Sequence, residues 1–172
     1  MQKDMKNNEI NLYSLSVSEI KTYIMATIFV AGNLLLPQLC HHVPQGGLMF
    51  LPIYFFTLVA AYKYGIVTGL VTAVLSPLLN SMLFGMPEAA MLPYILLKSV
   101  LLVLAASYVA RRFGKVSVPL LIAVVLFYQL VGTAVQCLAM GDMASMLPIL
   151  YTSIPGMLIQ VFVGYLIIRY LK

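Results

Sequence analysis

"MLPYILLKSVLLVLAASYVARRFGK", residues 91–115, decides what kind of fold this chain has. From Met91 to Ala110 it is apolar except for scattered hydroxyls and Lys98, and it ends in Arg111, Arg112 and Lys115. The hydrocarbon core of a bilayer is about 30 Å thick, so about 20 apolar residues rising about 1.5 Å each will cross it. The run has that length, and its basic end has the composition of a cytoplasmic flank. Lys98 is the residue out of place. An ammonium held in hydrocarbon costs between about 2.5 and 17 kcal/mol, depending on how far it can snorkel toward water.

The rest of the chain repeats the pattern. Of its 172 residues 62% are hydrophobic and only 9% charged, against about 25% charged in soluble domains. Residues 1–18 read as a polar N-terminal tail without the apolar run and cleavage site of a signal peptide, and 19–172 as one transmembrane domain. The apolar runs predict spans at 19–39, 46–63, 65–84, 90–110, 117–139 and 145–170. "HHVPQGG", "KYG", "GMPE", "RRFGK" and "MGDM" separate them.

The charges orient these spans. Lys3, Lys6, Lys21, Lys63, Arg111, Arg112, Lys115, Arg169 and Lys172 all fall on one side, which basic residues mark as cytoplasmic. His41, His42, Glu88 and Asp142 fall on the other. The expected fold class is therefore an all-α integral membrane protein with six transmembrane helices and both termini cytoplasmic. The net charge of +5 is scattered over helix ends rather than gathered on one face, which excludes a nucleic-acid surface.

Little here points to catalysis. No carboxylate lies inside a span apart from Glu19 at the start of the first, and no nucleophile elbow, HExxH or phosphate-cradling loop occurs. Adjacent His41 and His42 would diverge by about 100° on a helix, unlike an i, i+4 zinc pair. With Cys40 they leave open a soft-metal site or a plain polar loop, and a Cys40–Cys137 disulfide is geometrically imaginable. Small residues at Gly65/Gly69 and Ala106/Ala110 serve either internal packing or the docking of another subunit. No cofactor is expected.

The polar residues within the spans share a depth. Asn33, Asn80, Gln136 and Tyr151 lie in the outer halves of their spans, and Gln129 lies near the middle of the fifth. Lys98 stands about 8 Å below Pro93 at the outer start of the fourth span, one turn beyond Tyr94. Groups of this kind face a partner helix or a cavity. Lys98 itself has three readings: an ion pair with Glu88 or Asp142, snorkelling at the limit of its reach, or a contact to an anionic substrate. A pocket open to the outside and lined by Asn33, Asn80, Tyr94, Lys98, Gln129, Gln136 and Tyr151 is the expected site.

"LPIYFFTLVAAYKYGIVTGLVTAVLSPLLNSMLFGMP", residues 51–87, resembles the substrate-binding S components of energy-coupling factor vitamin transporters, in the branch around pantothenate, folate and riboflavin uptake. Pro52 opening a helix, the turn "AYKYG", Ser76-Pro77 and Gly85-Met86-Pro87 match that branch in order and spacing. Phe50 stands where members often have His, and Lys98 where they often have Glu, so no particular vitamin carries over. The resemblance implies a non-catalytic subunit of a bacterial cytoplasmic-membrane importer, which captures a water-soluble vitamin or precursor. It also implies partnership with a transmembrane T subunit and two ABC ATPases, docking through small residues of the first span (Ala26, Ala31 and Gly32), and "CHHVPQGG" as a lid. The rival reading is a six-span scaffold subunit of a rod-shape-type, wall-elongation complex, which would bind no small molecule.

Overall fold

Four of the apolar runs form single helices long enough to cross a bilayer: α1 (Ile20–Cys40), α4 (Ile66–Phe84), α5 (Leu92–Phe113) and α6 (Val118–Met140). The structure is a computed structural model and describes residues 12, 15–40 and 46–171. Lys3, Lys6, His41, His42 and Lys172, and with the two histidines most of the expected lid, lie outside the described residues. Every regular element among the described residues is helical. Pro93 and Pro119 sit in the first turns of α5 and α6, where a missing N–H is no loss.

The second expected span, 46–63, is not one helix. It divides into α2 (Gly46–Phe50) and α3 (Pro52–Val59), and α3 runs on into a π-helical turn, Ala60–Tyr64. Proline drives the preceding residue out of the right-handed helical region, and Leu51 lies instead in the left-handed region at φ 50°, ψ 45°. From Pro52 to Tyr64 the helix rises only about 20 Å, the length of a buried core helix rather than a full span. It is buried accordingly: Leu58, Val59, Ala60 and Ala61 have no exposed surface. Helices α1, α4, α5 and α8 (Ile154–Tyr170) enclose it.

The sixth expected span, 145–170, is also broken. A 3₁₀ turn (Met143–Ser145) leads into α7 (Met146–Thr152), and α8 (Ile154–Tyr170) leaves at an angle of 46°. Pro155 offers no N–H to the carbonyl of Tyr151, and its ring crowds that carbonyl, so the helix turns there. Counted as one span, this bent pair makes a fifth helix able to cross a membrane. The two breaks touch. A Cβ on Gly156 would lie 2.6 Å from the carbonyl carbon and oxygen of Phe50, so glycine is what lets the end of α2 rest on the start of α8.

Polarity is arranged for a bilayer. Ile24, Ile28, Leu35, Leu83, Leu138 and Leu158 are exposed on the outer faces, whereas Asn33, Thr57, Ser76, Asn80 and Gln160 are completely buried. Charge separates along the bundle axis. The Leu15 N–H donates to the Tyr64 carbonyl (3.2 Å) and the Tyr62 hydroxyl to the Lys115 carbonyl (2.8 Å). These bonds bring the start of α1, the end of the π turn and the α5–α6 connection to one end. That end carries Lys21, Lys63, Arg111, Arg112 and Lys115, and α8 runs toward it to deliver Arg169. The opposite end holds Glu88 and Asp142 and, among the described residues, no Lys or Arg except the buried Lys98. The N-terminal segment is more than a polar tail, since Leu12 and Leu15 pack against the core.

Candidate functional site

At the end of the bundle away from the basic residues, the two helix breaks face the first two turns of α5 across a cavity of about 680 Å³. Small-molecule sites fall in the range of about 300–1,000 Å³. Leu51, Pro52, Ile53 and Tyr54 come from one break, Ile149 and Ser153 from the other. Helix α5 contributes Tyr94, Ile95 and Lys98, and α6 contributes Gln129 and Gln136. Met86, Pro87, Glu88 and Met91 edge the cavity from the α4–α5 connection, and Pro37, Gly46 and Gly47 from the α1–α2 side. Irregular backbone at membrane depth is tolerated where it lines a cavity rather than meeting lipid.

Lys98 is the cation in this wall, only 6% exposed. Its aliphatic stem lies across Gly132 of α6: a Cβ at residue 132 would overlap Lys98 Cγ and come within 3.3 Å of Cδ and Cε. The glycine is thus the groove in which the lysine is laid. Among the described residues no carboxylate pairs with the ammonium. Glu88 borders the same cavity without forming an ion pair with it, and Asp142 caps the 3₁₀ turn by accepting from the Ser145 N–H (3.3 Å) and hydroxyl.

Gln129 forms the floor. Its side chain is fully buried, and its Nε2 donates to Ser153 Oγ at 2.9 Å. The Ser153 hydroxyl spends its single proton on the Ile149 carbonyl at 2.7 Å. Ser153 Oγ is therefore only an acceptor toward Gln129, which fixes the amide's orientation and leaves Gln129 Oε1 buried without a partner. A buried unmade hydrogen bond of this kind costs about 1–3 kcal/mol. Gln136, two turns nearer the mouth, meets among the described residues the soft sulfurs of Met91 (3.9 Å) and Met140 (4.0 Å). Below the floor the Tyr54 ring packs on Tyr128 at 5.3 Å, and the Tyr128 hydroxyl donates to Gln160 Oε1 at 2.9 Å.

Three of the expected site residues lie elsewhere. Asn33 Nδ2 donates to Thr57 Oγ1 and Ser76 Oγ, both at 3.0 Å, and Asn33 Oδ1 accepts the Phe56 N–H. Asn80 Nδ2 donates to the carbonyls of Asn33 (2.9 Å) and Ser76 (3.0 Å). Both asparagines thus join α1, α3 and α4, and neither borders the cavity. Tyr151 is 77% exposed on the outward face of α7. On α1, Ala26 is buried and Gly32 packs on the Phe56 ring, while Ala31 alone of the three faces outward.

No family model, curated protein or solved structure matches the chain. The site is accordingly read from its own chemistry. Cys40 and Cys137 are free thiols, and no cluster of three potential metal ligands occurs among the described residues. Sequence reasoning placed Tyr94, Lys98, Gln129 and Gln136 in a pocket, and the structure gathers these four around one cavity. It missed Gly132, Ser153 and Tyr54. One signal was available: Gln129, Gly132 and Gln136 recur at i, i+3 and i+7, which puts them on one face of a helix.

Proposed function

We propose that this chain is the solute-binding subunit of a membrane importer of the energy-coupling factor type, and that its solute is a water-soluble vitamin or related precursor bearing an anionic group. The observation that carries the proposal is Lys98: a buried ammonium on the wall of a ligand-sized cavity, with no carboxylate paired to it among the described residues. A ligand anion would supply the missing counter-charge, and losing one partner of such a desolvated pair costs about 2–5 kcal/mol.

Further support comes from the architecture. Transporter sites are commonly built where helices are broken, with half-helix ends aimed at the solute, and here two breaks meet at the cavity. The basic end of the bundle is cytoplasmic by the positive-inside rule, so the cavity opens outward and both termini lie inside. In this reading the chain makes six passes, the second and sixth through broken helices, in a bacterial cytoplasmic membrane. Release to the inside falls to a T subunit and two ABC ATPases, and the outward face of α1 around Thr27, Ala31 and Leu35 is the surface offered to them. The chain needs no cofactor and performs no chemistry of its own.

Native mass spectrometry of the protein extracted directly from membranes tests the proposal. The expected result is a retained low-mass anion, absent from the Lys98→Met protein, and binding at nanomolar to low-micromolar Kd. Co-purification with cell-wall elongation proteins and no retained or added small molecule would instead establish a scaffold.

A further inference from the structure

On α6 the cavity wall presents Gln129 at the floor, Lys98 laid over Gly132 one turn above it, and Gln136 near the mouth. The polarity of the floor is decided by its neighbours. The Ser153 proton goes to the Ile149 carbonyl, Gln129 Nε2 goes to Ser153, and Gln129 Oε1 remains a buried acceptor with nothing donating to it. The floor asks for a donor, and the lysine above it for an anion. We propose that Gln129 is a specificity-determining residue and that the solute carries, besides its anionic group, an N–H or O–H donor for Gln129 Oε1.

Around these two contacts the wall is apolar or aromatic, with Tyr54, Met91, Tyr94 and Ile95. A solute of the class predicted has an anionic group, a short body that packs on these side chains, and a hydroxyl or amide N–H leading into the floor. Simple fatty acids and fully alkylated anions lack the donor. A site with a buried polar group discriminates sharply against a ligand that leaves that group unpaired, more sharply than it discriminates by size. The inference rests on the anion-binding reading above but adds a separate requirement to it.

The test uses purified full-length protein and a panel of small water-soluble carboxylates that bear one hydroxyl or secondary amide, each paired with its O- or N-methylated analogue. Isothermal titration is the readout. Parents are expected to bind wild type at least tenfold more tightly than their methylated partners. Gln129→Met is expected to bring the two members of each pair within about twofold of each other, whereas Lys98→Met should weaken both alike. Parents and analogues binding wild type equally would overturn the inference and leave the anion reading standing, because Gln129 Oε1 would then be served by water. Carboxylates that fail to bind at all would remove the anion reading itself. The parent-against-analogue comparison is made on wild type, so it decides the question even where Gln129→Met does not fold.

Discussion

Lys98 and Gly132 form one device made of two residues. The stem of the lysine needs the missing side chain of the glycine, because a Cβ there would overlap Lys98 Cγ, which is too near the backbone to swing clear. Two substitutions therefore reach the ammonium by different routes. Lys98→Met keeps the length and removes the charge, and is expected to lower affinity for the retained anion by tenfold or more while the protein stays monodisperse. Gly132→Ala keeps the charge and displaces it. It should cost about 1–3 kcal/mol of stability by overpacking and should also weaken the anion. If Gly132→Ala lowers the thermal midpoint but leaves affinity unchanged, the lysine's position is immaterial to binding. If Lys98→Met leaves affinity unchanged in a folded protein, Lys98 is structural. The depth of Lys98, Gln129 and Gln136 was legible in the sequence, because depth follows from counting residues along a span. Azimuth was not. Asn33 and Asn80 share a depth with Lys98, yet they turn toward one another and toward Thr57 and Ser76, and only packing sets that direction.

Among the elements, the long helices could be read from sequence because an apolar run of about 20 residues has few alternatives. The breaks could not. Pro52 and Pro155 mark helix starts as readily as interruptions, and nothing in a leucine announces the left-handed backbone of Leu51. Nor does an apolar run tell protein interior from lipid, so residues 52–64 read as part of a span although they are enclosed by other helices. The contact between the two breaks is open to direct test through two glycines of α8. At Gly156 a methyl would strike the Phe50 backbone at 2.6 Å and the Met49 carbonyl oxygen at 2.8 Å, and backbone cannot rotate away. At Gly164 the nearest atom is Leu58 Cδ2 at 3.4 Å, an ordinary contact. Gly156→Ala is expected to destabilise by about 1–3 kcal/mol and to loosen α2 from the cavity rim. Gly164→Ala should be neutral or stabilising by up to about 1 kcal/mol, since glycine inside a helix is itself unfavourable. Thermal midpoints of the two variants in the same detergent check the pair. Equal midpoints would mean that α2 does not press on α8 at residue 156.

At the scale of the whole molecule, the cavity and the flanking basic residues occupy opposite ends, and the proposed importer function depends on this separation. Lys21, Arg111, Arg112, Lys115 and Arg169 mark one end, and Glu88 and Asp142 the other. Basic flanks are held back from translocation far more strongly than acidic ones, so the end carrying Lys115 is expected in the cytoplasm and the cavity mouth outside. Single cysteines replacing Glu88, Asp142 or Lys115 report this in intact cells with a membrane-impermeant thiol reagent. Cys40 stands half-buried at the cavity end of α1 and Cys137 is buried near Lys98, so both are first changed to serine to remove background. Residues 88 and 142 should label in intact cells, and residue 115 only after the membrane is opened. The opposite pattern would invert the molecule. The lysine-lined cavity would then face the cytoplasm, where it could not capture a scarce solute from outside, and the importer reading would fall with the orientation.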